Sequence, residues 1–145
     1  MRYKMNTVQH IMKGKVPHSI YFDGCSKGNP GRAGAGAVIY NEEGTHLASI
    51  SHFVGEKETN NVAEYTGLIV GLTAALQLHI KHVIVKGDSQ LVIKQMTGLY
   101  QVKSPTLNAL YKQAKALEKQ FDVITYNHIY RKENAVADTL ANEAL

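Results

Sequence analysis

KHVIVKGDSQLVIKQMTG, residues 81–98, changes character in its middle. KHVIVKGD is a short continuous apolar run, the pattern of a strand buried on both faces. SQLVIKQMTG reads as a helix stopped at Gly98. A strand that feeds straight into a helix is half of a βα unit, and such units add parallel strands through right-handed crossovers. Downstream, SPTLNALYKQAKALEKQF (104–121) starts with Ser104 as cap and Pro105 in its first turn. Its apolar stripe, Leu107, Leu110, Tyr111, Ala114 and Leu117, is helical. DVITYNHIY (122–130) reads as a last strand and KENAVADTLANEAL (132–145) as a last helix. Upstream, a long helix is expected from Asn60 to about His79, with Tyr65, Leu68, Ile69, Leu72, Ala75 and Leu76 in helical spacing. Before it, HSIYFDG (18–24), AGAVIYN (35–41) and HLASISHFV (46–54) read as strands, with NEEG (41–44) as a hairpin connection. The order predicts an α/β domain in which an antiparallel meander is extended by parallel strands.

Composition bounds the rest. A chain of 145 residues, 44% hydrophobic, is one domain with a real core. No stretch has the length and apolarity of a membrane span, and residues 1–19 lack the apolar run of a signal peptide. The single Cys25 excludes an intramolecular disulfide framework and a cysteine-rich zinc site. A reducing cytoplasm is the expected location. The first acid is Asp23, whereas Arg2, Lys4, Lys13 and Lys15 precede it, so the formal +4 charge lies in the N-terminal segment. We therefore divide the chain into a basic extension, 1–17, and a domain, 18–145. Basic arms of this kind often touch nucleic acid.

Four acids fall in four separate elements. Asp23 ends the first strand, Glu64 lies one turn into the first long helix, Asp88 ends the strand VIVKGD and opens a helix, and Asp138 sits in the last helix. Each has a plain structural alternative: a turn at Asp23-Gly24, a helix-dipole partner at Glu64, an N-cap at Asp88, a solvated helix residue at Asp138. Jointly they point elsewhere. Ligands of open α/β sheets gather at the C-terminal ends of the strands, where Asp23 and Asp88 are placed. Crowded carboxylates raise one another's pKa values, and divalent cations remove that penalty. An all-oxygen donor set favours Mg²⁺ or Mn²⁺ over zinc. Two such ions about 3.5–4 Å apart suit an in-line phosphoryl displacement. GRAGAGAV (31–38) fails the G-x-G-x-x-G spacing, so the dinucleotide fingerprint is absent. No small-molecule cofactor is expected. Gly28, Gly31 and Gly34 are read as turn and close-approach positions.

YFDGCSKGNPGRAGAGAVI (21–39), TNNVAEYTGLIVGL (59–72), KGDSQLVIKQMTG (86–98) and RKENAVADTLAN (131–142) together resemble the type 1 ribonuclease H family. The resemblance spans residues 19–145. It implies a ribonuclease H-like fold, a five-stranded mixed sheet flanked by helices. It also implies cleavage of the RNA strand of RNA/DNA hybrids by two-metal-ion hydrolysis, leaving 5′-phosphate and 3′-OH ends. Asp23, Glu64, Asp88 and Asp138 match the family's metal-binding carboxylates. Asn29, Asn60, Asn61 and Gln90 match residues that contact the hybrid in its minor groove, where short amides can meet 2′-hydroxyls. Thr59 and Asn60 resemble the phosphate pocket for the DNA strand, consistent with free N–H groups at a helix start.

Two departures from the family matter. Its better-known bacterial form carries a basic insertion rich in Lys and Trp after the second helix. Here MTGLYQVKSPTL (96–107) connects directly, with only Lys103, and the chain has no Trp. The resemblance is thus to the compact form, and implies weak hybrid affinity unless the N-terminal arm substitutes. Some members use a mobile His before the last helix for turnover, and His128 has the matching offset. Compact members place an Arg seven residues before the final Asp, and Arg131 matches it; Arg131 is the favoured assistant. The rival readings are a weakly active or inactive nucleic-acid-binding module of this fold, and a broader nuclease acting on duplex RNA or RNA–DNA junctions.

Overall fold

The computed structural model describes residues 17–145; the basic residues of the proposed 1–17 extension lie outside them. Strands β1 (His18–Lys27), β2 (Gly31–Tyr40), β3 (His46–Glu58), β4 (His82–Gly87) and β5 (Val123–His128) form one sheet in the order β3-β2-β1-β4-β5. β1–β2 and β2–β3 are antiparallel, β1–β4 and β4–β5 parallel, as the meander-plus-βα reading expects. The helices are α1 (Asn60–Gln77), α2 (Gln90–Met96), α3 (Pro105–Glu118) and α4 (Ala135–Glu143). None is long and apolar enough to cross a membrane.

One sheet face is closed by α1 with α2 and α3 beside it. Ile20, Phe22, Ile39, Val83 and Val85 from the sheet meet Tyr65, Leu68 and Leu72 from α1. The other face is closed over β2 and β1 by α4. That helix also packs on β3 but makes no substantial contact with β4. So Val83 and Val85 are fully buried while Ile84 and Lys86 are only half-buried, and the expectation of a strand closed on both faces is corrected.

Local chemistry sets the element ends. Val62, Val92 and Leu107 N–H groups each donate to a capping hydroxyl, of Thr59, Ser89 and Ser104 respectively, all at 3.2 Å. At the β2–β3 turn the Asn41 Oδ1 accepts from the N–H groups of Glu43 and Thr45. Several boundaries differ from expectation. β1 runs to Lys27 rather than Gly24 and β2 starts at Gly31 rather than Ala35, so Asp23 lies inside β1 and not at its end. β3 runs to Glu58 rather than Val54, directly up to the cap of α1. The last helix is broken. Arg131–Glu133 form a 3₁₀ turn, and α4 starts only after Asn134. Asn134 is 1% exposed and its Nδ2 donates to the Phe22 carbonyl at 2.9 Å. That bond ties the start of α4 to β1.

Candidate active site

Glycines let α1 and α4 sit directly on the sheet. A Cβ on Gly24 would collide with the Ala63 backbone, and one on Gly67 with the Asp23 carbonyl. The absence of both carbons brings β1 against the first turns of α1, so Asp23 and Glu64 face each other. Asp88 follows β4, parallel and adjacent to β1. The cap of α2 is Ser89, not Asp88, which leaves the Asp88 carboxylate free for the cleft. On the far side, Asp138 lies in the first turn of α4.

The result is a cluster. Carboxylate oxygens of Asp23, Glu64 and Asp88 lie within 4.8 Å of one another. Asp138 adds its carboxylate to Asp23, and all four line one cleft of about 440 Å³ together with Cys25, Arg131 and other residues. Burial, then the charges of Asp88 and Asp138, push the Asp23 carboxyl up to about 7 against the Gly24 N–H, which pulls it down. Burial, then Asp23 and Asp88, lift Glu64 well above the usual carboxyl range. Among the described residues the buried Oε1 of Glu64 has no hydrogen-bond partner. Converging hard oxygens, repulsion and an orphaned acceptor are together what a divalent cation would relieve. A roomier cavity of about 580 Å³ opens between α4 and the β2–β3 turn. It lacks converging acids, so chemistry favours the smaller cleft.

The other candidates fall into three groups. Arg131, exposed at the start of the 3₁₀ turn, lines the cleft. His128 ends β5, with its Nε2 3.3 Å from the Asp88 carbonyl oxygen, and is not among the residues lining the cleft. Asn29 and Asn60 form a lock. The Asn29 Oδ1 accepts from the Asn60 N–H (2.9 Å), and the Asn60 Oδ1 accepts from the Ser26 N–H (2.8 Å). Backbone donors fix both amide orientations, so each Nδ2 points away as a donor. Thr59, Asn61 and Asn29 line a second cavity of about 540 Å³. Gln90 is exposed at the first position of α2 and lines neither cavity. Lys57, Ser104 and Thr106 also line the second cavity, a role that no motif in the sequence marks. In the sequence Ser104 reads only as a cap, and nothing local signals that α3 starts beside the cap of α1.

Fold and site define the class: the chain belongs to the ribonuclease H family. The reverse transcriptase-like family matches it over residues 21–144. The chain is 48% identical over 124 residues to the bifunctional protein Rv2228c of Mycobacterium tuberculosis, covering 85% of this chain and 34% of that protein. The ribonuclease HI of Halobacterium salinarum is 42% identical over 125 residues, 86% of this chain and 62% of that one. The chain thus spans between a third and two thirds of these relatives' length. Among solved structures, the N-terminal RNase H domain of Rv2228c superposes with a TM-score of 0.86 at 48% identity, covering 89% of this chain and 93% of that one. LC11-RNase H1, solved in complex with an RNA/DNA hybrid, gives 0.82 at 40% identity over 88% and 95%.

Proposed function

We propose that the chain is an endoribonuclease that hydrolyses the RNA strand of RNA/DNA hybrids, leaving 5′-phosphate and 3′-OH ends. The observation that carries this is the convergence of three carboxylates within 4.8 Å, with the orphaned Glu64 Oε1 among them. The all-oxygen set favours Mg²⁺ or Mn²⁺. In this reading Asp23 and Asp88 hold ions most directly, and Glu64 and Asp138 complete the sites. Two ions bound there would stabilise the attacking and leaving oxygens of an in-line displacement.

The remaining residues bind and orient. Asn29, Asn60, Asn61 and Gln90 present donors to 2′-hydroxyls and base edges, which is how an RNA strand is told from DNA. Thr59 and Asn60, at the start of α1, receive a phosphate of the DNA strand, helped by Lys57, Ser104 and Thr106 around the same cavity. Arg131 reaches the scissile phosphate and assists turnover more than His128. Residues 1–17 act as a basic arm on the 18–145 domain. Cys25 fits a reducing compartment, the cytoplasm.

Incubating the protein with labelled RNA/DNA hybrid, duplex RNA and duplex DNA, in Mg²⁺ or Mn²⁺, tests the reading. The hybrid alone should be cut. Asp88→Asn should lower cleavage at least about 100-fold in a folded protein, since even outer-shell changes at metal sites cost 10- to 100-fold. Equal cutting of duplex RNA would make this a broader nuclease. Hybrid binding without cutting would make it a binding module. Near-wild-type turnover by Asp88→Asn would overturn the metal site.

A further inference from the structure

Tyrosine aside, the buried polar or charged side chains among the described residues are Asp23, Gln95 and Asn134. Asp23 belongs to the cleft. Asn134 ties the start of α4, which carries Asp138, to β1, which carries Asp23. Gln95 has no part in either. It lies on α2, 5% exposed, and its Oε1 accepts a 2.5 Å hydrogen bond from the hydroxyl of Tyr65, a fully buried residue of α1. The partners are 30 residues apart, so nothing local requires the bond. Filling the core does not require it either. Phe and Met would occupy similar space, and replacing both members of a buried pair by apolar groups of like shape is close to neutral in stability. What a satisfied buried pair adds is a fixed geometry.

The bond joins the elements on which two of the acids stand. Tyr65 follows Glu64 directly, and adjacent helix residues point about 100° apart. Glu64 therefore turns to the cleft while Tyr65 enters the core shared with Val92, Ile93 and Met96 of α2. Gln95 lies roughly 9 Å along the axis from the cap Ser89, and Asp88 immediately precedes that cap. The glycine contacts of α1 set it against β1 and β2, not against α2. Apolar packing is non-directional and lets a short helix slide. Among the described residues, Tyr65 to Gln95 is the one side-chain hydrogen bond from α1 to α2. It spans elements with reason to separate, since the Glu64 and Asp88 carboxylates approach within 4.8 Å and repel until a cation lies between them.

We propose that Tyr65 and Gln95 are positioning residues of the metal site, a brace that holds Glu64 and Asp88 at cation-binding separation before the cation arrives. The proposal rests on the metal-site reading above, and neither residue touches ion or substrate. Its consequence is preorganisation. Without the brace the ion itself must draw α1 and α2 together, and that cost falls on metal affinity.

The test compares the full chain as wild type, Tyr65→Phe, Gln95→Met and the double variant. Mn²⁺ binding without nucleic acid is measured by titration calorimetry, at a temperature where circular dichroism shows all four folded. Thermal melts in chelator measure stability. Each single variant leaves one buried polar group unpaired and should lower the melting temperature by roughly 3–8 °C. The double variant leaves none and should return to within about 2 °C of wild type. All three should nevertheless bind Mn²⁺ about 10-fold more weakly, the lower end of what outer-shell changes cost. In hybrid cleavage the loss should fall on the Mn²⁺ concentration required, with kcat at saturating metal close to wild type. Wild-type Mn²⁺ affinity in the single variants would overturn the proposal. So would a double variant that regains affinity together with stability, because the pair would then only fill the core. A wild type that binds no Mn²⁺ would instead overturn the metal-site reading, and the positioning role with it.

Discussion

Asp23 is 5% exposed and shares its cleft with Glu64, Asp88 and Asp138. Its carboxyl titrates near 7 in the folded chain, through burial first and then its acidic neighbours, against 3.8 ordinarily. Between about pH 4 and 7 the folded protein thus holds a proton that the unfolded chain has released. Stability of the metal-free protein should therefore be fully supported near pH 4 and fall as pH rises toward 7. Asp23→Asn removes that penalty. In chelator at about pH 8 it should raise the melting temperature by roughly 4–8 °C, and by little at about pH 4. Added Mg²⁺ or Mn²⁺ should stabilise the wild type and leave the variant nearly unmoved. Thermal melts at the two pH values, with and without metal, measure all of this. A variant less stable than wild type at pH 8 would mean the acids are not in conflict.

The element that positions the site is α1, and the contact that positions α1 is glycine against backbone. Gly67 lies against the Asp23 carbonyl and Gly24 against Ala63, one residue before Glu64. Gly67→Ala would press a methyl into the strand that carries Asp23, and α1 would have to move away. Overpacking of this kind costs about 1–3 kcal/mol. Because Glu64 travels with the helix, hybrid cleavage should fall further than the stability loss explains. Chemical denaturation beside cleavage under conditions where the variant is fully folded would separate the two. The break at Asn134 works at the same scale: its bond to the Phe22 carbonyl ties the start of α4 to β1, the strand that carries Asp23.

For the molecule as a whole, the formal +4 charge lies in an N-terminal segment with four basic residues, and the body after it is formally neutral. Deleting residues 1–17 should flatten the salt dependence of hybrid binding by up to about four units, close to one for each of Arg2, Lys4, Lys13 and Lys15 that meets a phosphate. Anisotropy across salt concentrations reads this directly, and an unchanged slope would mean that these four residues meet no phosphate. What is legible in the chain alone is whatever local periodicity and residue type control: five strands and the main helices, the caps at Thr59 and Ser104, and four acids in four separate elements, whereas the cap of α2 is Ser89 where the sequence offers Asp88. Helix caps and alternation are decided by neighbours within four residues, so they survive being read without a fold. The break at Asn134, the half-open face of β4, and the meeting of Lys57 and Thr59 with Ser104 and Thr106 were decided only by tertiary structure. Each depends on which distant backbone a side chain meets, a carbonyl 112 residues away in the case of Asn134. The same reason separates the four carboxylates as types from the cleft they make: their identity is local, whereas their repulsion exists only once β1, α1, β4 and α4 have packed.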